Sequence, residues 1–182
     1  MKNKLYFLIW LIVLFSFIVP QKVLADEKTN KLLASSKVVV KNDIRVKVLK
    51  DFLLTYNSPL AENAQTFVEE ADKNKLDWRL VASISGVEST FGHQIPYNSY
   101  NAWGWGIYGD NMITFQSYDE AIKTISKSLR KDYMDSWGAQ DVYQIGRIYA
   151  ASPTWAQRVE YFMEKVEDFQ LNNPKNYLSL SL

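Results

Sequence analysis

Apolar side chains recur every three or four residues in successive stretches, and most of these stretches follow a residue that caps helices. A helical period joined to start signals restricts the chain more than any single residue does. Ile44, Val48, Phe52 and Tyr56 recur at a spacing of four. Ser58-Pro59 then supplies a cap and a first helical position, and Leu60, Ala64, Phe67, Val68 and Ala71 form an inner face. Glu69, Glu70, Asp72 and Lys73 read as its solvated face. Asp77 caps a helix running from Trp78 to about Ser89. On it Leu80, Ile84 and Val87 share one face, and Val81, Ser85 and Glu88 share the adjacent one. Small residues (Ser83, Ser85, Gly86) admit a close neighbour, so this helix is expected to be buried nearly all round and to stop at Gly92.

Further on, Ser117-Tyr118-Asp119-Glu120 is a capping box heading a stripe of Ala121, Ile122, Ile125 and Leu129. Asp141 caps a short helix with Val142, Ile145, Ile148 and Tyr149. Ser152-Pro153 starts the last one, where Trp155, Val159, Phe162, Met163, Val166 and Phe169 recur at helical spacing before Asn172-Asn173-Pro174. Residues 93–102 read as a loop. Trp103 to Phe115 reads as a short hairpin turning at Gly109-Asp110-Asn111. The expected fold is therefore mainly α, with one small β-hairpin.

The N-terminus reads differently. Lys2 and Lys4 precede a nearly unbroken apolar run from Leu5 to Val19, then Pro20 and Val23-Leu24-Ala25. That is the pattern of a secretory signal peptide over residues 1–25, cleaved after Ala25. The run is short for a membrane span, which disfavours an uncleaved anchor. Residues 26–43 form a polar linker, 44–171 the globular domain, and 172–182 a loose tail. The expected address is outside the cytoplasm, secreted or in the cell envelope. Removing Lys2, Lys4 and Lys22 takes the net charge from +1 to −2. No basic block remains, so nucleic acid is not an expected partner. The chain has no cysteine and one histidine, His93, which disfavours a zinc site and leaves the apolar core alone to hold the domain. No metal or cofactor is expected, and the domain is read as a monomer.

Chemistry concentrates between Gly86 and Gly106. Glu88 ends an apolar helix, and Tyr97, Tyr100, Trp103 and Trp105 follow among small and polar residues. Rings stack on sugar faces, and a carboxylic acid can protonate a glycosidic oxygen. An ordinary glutamate is ionised at neutral pH, so the acid role requires burial among these rings or the negative end of its own helix. Alternation along a strand would send Trp103 and Trp105 to the same face. Trp78, Trp155, Phe162 and Phe169 read as core, and His93 as a loop residue. Two-carboxylate glycosidases place the second acid about 5–9.5 Å from the first. Asp110 at the hairpin tip is the candidate for it, whereas Asp119 reads as a first-turn acid at a helix start.

Several motifs occur in order: Glu88-Ser89 with Phe91-Gly92, Asn101-Ala102-Trp103-Gly104-Trp105-Gly106, Phe115 with Ser117 to Ala121, Tyr149-Ala150, and Trp155-Ala156 with Val159. In this order the chain resembles the lysozyme-like superfamily, and within it the soluble lytic transglycosylases and the bacterial glucosaminidase branch, over residues 44 to 170. The resemblance implies a helical domain with the hairpin lining a substrate groove, and cleavage of β-1,4 bonds in peptidoglycan. It puts Glu88 in the place of the acid/base, with Ser89 contacting substrate or holding the acid. Tyr149 would reach back over the cleft. Asn101 and the Trp103–Gly106 segment would line subsites, while Tyr97 and Tyr100 are sugar-stacking candidates by their place in the loop. Transglycosylases commonly carry G-L-M-Q where this chain has Gly104-Trp105-Gly106-Ile107. Glucosaminidases commonly carry Y-A-T-D where it has Tyr149-Ala150-Ala151-Ser152. Lytic and hydrolytic cleavage both stay open, and a non-catalytic glycan-binding module on the same fold is the alternative.

Overall fold

A computed structural model describes residues 43–106 and 113–174. The signal peptide, nearly all of the linker, Tyr108, the Gly109–Asn111 turn with Asp110, and the tail beyond residue 174 lie outside them. The described chain is mainly α-helical. Its helices are α1 (Ile44–Thr55), α2 (Ala64–Asn74), α3 (Leu80–Ser89), α4 (Tyr118–Ser128), α5 (Val142–Tyr149) and α6 (Trp155–Asn172). A short 3₁₀ turn, Ala61–Asn63, leads into α2, and a π-helical segment, Leu129–Ser136, continues α4. No described helix is long and apolar enough to cross a membrane.

Three helix starts carry a side-chain cap, whereas α3 begins at Leu80 after Arg79 and α6 at Trp155 after Thr154, each without one. The Asp43, Ser117 and Asp141 side chains accept from Arg45 N, Glu120 N and Gln144 N at 2.9, 3.2 and 2.7 Å. Ser58 Oγ accepts from Leu60 N at 3.0 Å and donates to Phe91 O at 2.7 Å, tying the approach to α2 to the end of α3. The α4 stripe of Ala121, Ile122, Ile125 and Leu129 is fully buried, as are Ala64, Phe67, Val68 and Ala71 of α2. Asp119, at the head of α4, accepts from Thr66 Oγ1 at 2.6 Å and Asn63 Nδ2 at 2.8 Å, which pins α4 to α2. Glu70 departs from its expected solvated face: it is buried, with Lys73 Nζ and Asn74 Nδ2 against its carboxylate.

Helix α3 is buried on nearly every side and packs along α6. It ends before Gly92, at Thr90 (φ 53°), and Phe91 follows with φ 57°. Two successive non-glycine residues in the left-handed region are costly. Their backbone is held by Phe91 N to Ser85 O at 3.0 Å and by Gly92 N to Ser89 Oγ at 2.9 Å. The Phe91 ring is buried directly over Gly86, where a Cβ would stand 2.6 Å from its Cζ. The turn thus exchanges local strain for an aromatic ring in the core, and it sits immediately after Glu88.

The expected hairpin is corrected. Trp103–Gly106 and 113–115 are turns and irregular chain, and no strand occurs among the described residues. The two arms are joined instead by one side chain. Asn101 Nδ2 donates to Trp105 O at 2.7 Å and to Ile113 O at 2.9 Å, while its Oδ1 accepts from Trp105 N at 2.9 Å. A buried amide that satisfies these backbone groups removes the need for a ladder.

Candidate active site

Glu88 lies in the last turn of α3 and is half-buried. Its Oε1 accepts from Trp155 Nε1 at 2.5 Å, a residue at the head of α6. Its Oε2 is 3.1 Å from the point where a Cβ on Gly104 would stand, so the backbone at Gly104 runs beside that oxygen. Gly104 has φ +60° and is exposed. A side chain there would meet both backbone strain and the carboxylate. Burial pushes the Glu88 carboxyl above its usual range, while the Trp155 hydrogen bond and the field of Arg158 pull partly the other way. With the indole donating to Oε1, the acid form carries its proton on Oε2, beside Gly104.

Tyr149 completes the surroundings. Its hydroxyl donates to Trp103 O at 2.7 Å, and its ring stacks on Trp155 with centroids 4.7 Å apart and planes 24° apart. Burial, then the Glu88 charge, pushes its phenol well above the ordinary value, so it stays a neutral donor. Gly104 and Tyr149 are also two walls of a cavity of about 320 Å³. Trp105, Tyr133 and Trp137 line the rest of its aromatic side, with ring centroids 6.0 Å (Trp105–Tyr133) and 4.9 Å (Tyr133–Trp137) apart. One carboxylate lines it as well: Asp132, from the π-helical segment, which accepts from Ser128 Oγ. Faces of rings beside a hydrogen-bonding carboxylate match a pyranose, which has apolar faces and a polar rim.

The expected site residues separate into two groups. Glu88, Trp105 and Tyr149 meet at or beside the cavity. Trp103 does not: it is 0% exposed, its Nε1 donates to Val81 O at 2.8 Å, and it is core. Without a strand the two indoles have no shared face. Ser89 is buried and acts on the backbone, with its hydroxyl 2.8 Å from Ala102 O and 3.0 Å from Ser85 O. Asn101 is the clamp described above. Tyr97 is 91% exposed, and Tyr100 packs edge-on against Tyr118 at 5.2 Å; neither lines the cavity. Asp110 lies outside the described residues. Asp119 is occupied by Thr66 and Asn63, whose hydrogen bonds hold its carboxyl below the usual range. His93 Nε2 lies 2.9 Å from Tyr56 O.

Tertiary contact adds residues that the pattern did not single out. Trp155 is core by helical spacing and is indeed 1% exposed, yet its one polar atom holds the acid. Asp132 and Tyr133 belong to the π-helical segment and Trp137 follows it as its C-terminal cap; a polar side-chain pair five apart, Arg130 with Asp135, lies within it. Among the described residues no group of three His, Cys, Asp or Glu side chains could hold a metal ion. The chain matches no protein-family model, and no curated protein or solved structure is significantly similar to it.

Proposed function

We propose that this chain is an exported, lysozyme-like enzyme that cleaves β-1,4 bonds between N-acetylmuramyl and N-acetylglucosaminyl units of peptidoglycan, with Glu88 as general acid/base. What supports this above all is a half-buried carboxyl, anchored on one oxygen by an indole N–H, whose other oxygen lies against a glycine at the edge of an aromatic cavity. Glu88 Oε2–H gives its proton to the glycosidic oxygen as the C–O bond breaks. The sugar's own N-acetyl group steadies the developing positive charge. The carboxylate left behind keeps the Trp155 hydrogen bond, which strengthens as charge forms. It then accepts a proton either from the muramyl 6-hydroxyl, closing a 1,6-anhydro ring, or from a water that adds to the sugar. Trp105, Tyr133 and Trp137 stack on sugar faces, and Asp132 accepts from sugar hydroxyls.

Purified peptidoglycan incubated with wild type and Glu88→Gln tests the proposal. Wild type should release muropeptides, and the variant should bind without releasing any. Mass spectrometry then separates the routes, since an anhydro end is lighter by one water than a reducing end. Turnover surviving in Glu88→Gln would refute the assignment. Binding without turnover in wild type would mean a glycan-binding module. Asp132→Asn in the same assay should raise KM while kcat persists. A kcat loss as deep as that of Glu88→Gln would make Asp132 a second catalytic carboxylate.

A further inference from the structure

A second hollow, of about 480 Å³, lies between the end of α3 and the start of α6. Val87, Thr90, Gln157, Arg158 and Tyr161 contribute to it, and none of them lines the aromatic cavity. Glu88 lines neither space but lies close to both: its Oε2 stands beside Gly104 of the cavity, and Arg158 of the hollow, three residues after its partner Trp155 on the same side of α6, is near enough to act on its charge. A chain that lies in the aromatic cavity and passes the acid therefore arrives at Arg158.

The chemistry of this hollow differs from that of the cavity. Among the described residues the Arg158 guanidinium is exposed and pairs with no carboxylate, although Glu88 lies within its field. Lys165, two turns along α6, places Nζ over the Tyr161 ring at 5.3 Å from its centroid and pairs with Asp168 at 3.7 Å, so Arg158 is the cation left to the hollow. The nearby acid Glu160 is engaged elsewhere, by the Tyr143 hydroxyl. Thr90 and Gln157 add neutral hydrogen-bonding groups. A guanidinium with no ion-pair partner among the described residues, in a concave space beside neutral donors, suits a carboxylate.

We infer that the hollow around Arg158 is an anion subsite, which receives a carboxylate carried by the glycan next to the bond at Glu88 while uncharged sugar rings occupy the aromatic cavity. This rests on the proposed glycan substrate and adds a direction to it. Two groups on a peptidoglycan strand offer that chemistry: the 3-O-lactyl carboxylate of a peptide-free muramyl unit, and a carboxylate of the stem peptide. An unsubstituted β-1,4 N-acetylglucosamine chain has neither.

Binding is measured apart from turnover, by calorimetry on the full chain carrying Glu88→Gln. The ligands are peptide-free muramyl strands, the same strands with stem peptides, and chitooligosaccharide of equal length. Adding Arg158→Gln should weaken one or both carboxylate-bearing strands by about tenfold and leave chitooligosaccharide within about twofold, with Arg158→Lys recovering part of the loss. A loss confined to peptide-free strands identifies the lactyl group, and one confined to the others identifies the peptide. An equal change on all three ligands, or none on any, overturns the inference. If wild type binds these strands but cleaves none, enzymatic cleavage is refuted while the Arg158 effect still decides the subsite. If it binds no glycan, both fall.

Discussion

Replacing Gly146 with alanine sets two rules against each other. In the interior of a helix, Gly→Ala is ordinarily stabilising by about 1 kcal/mol, because alanine gives up less backbone freedom on folding. Gly146 lies inside α5, where α5 packs on α6. A Cβ there would stand 2.9 Å from Trp155 Cε3 and 3.2 Å from the Ala156 Cβ. Carbon atoms rest about 3.5–4 Å apart, so the indole or the helix must yield by roughly 0.5–1 Å. The indole is stacked on Tyr149 and buried, which leaves it little room to turn away. Overpacking of this kind costs about 1–3 kcal/mol, which exceeds the propensity gain and leaves a net loss of roughly 1 kcal/mol. The same displacement lengthens the 2.5 Å contact between Trp155 Nε1 and Glu88. Misplacing a reacting group by about 1 Å can cost a hundredfold in rate, so kcat on peptidoglycan should fall at least tenfold. Urea unfolding followed by tryptophan fluorescence, with muropeptide release in parallel, reads both effects. A variant that is more stable than wild type and equally active would refute the packing reasoning.

Two further outcomes follow from other contacts. Asn101→Ala should cost about 2–3 kcal/mol, because it strands Trp105 N, Trp105 O and Ile113 O in a partly buried segment. Its KM should rise as Trp105 loosens, and thermal unfolding together with strand binding would check this. Burial raises the folded-state pKa of Glu88 above its unfolded value. Its contribution to stability is therefore complete below the unfolded pKa, near 4.3, and is lost as pH rises through the folded pKa. Glu88→Gln should thus gain stability relative to wild type between pH 4 and pH 8. Urea midpoints at intervals across that range would check it, and a difference constant with pH would contradict it.

What the sequence made legible was local. Ser117 with Ile122, Ile125 and Leu129, or Asp141 with Ile145, carries its start signal and its buried face within a few residues, and α4 and α5 follow those signals. Glu88 at the end of a buried helix was legible for the same reason. The segment after it was not. Its composition suits a hairpin, but the Asn101 side chain takes up the backbone groups that strand pairing would use, and alternation loses its meaning. Trp103 and Trp105 therefore part, one to the core and one to the cavity. The aromatic wall was hidden because Tyr133 lies in a π-helical segment, with its five-residue spacing, and Trp137 caps that segment. Trp155 was half-legible: periodicity finds its ring, but not the target of its N–H, which lies 67 residues earlier in the chain.

That long separation has a consequence for when the molecule can act. The glutamate is made before the indole that grips it and the tyrosine stacked on that indole, which both come from the last third of the domain. Until α6 docks against α3, residue 88 is an ordinary hydrated side chain, ionised in neutral surroundings. Its raised pKa is thus a property of the finished tertiary structure, and a chain that has not yet folded carries the residue without it.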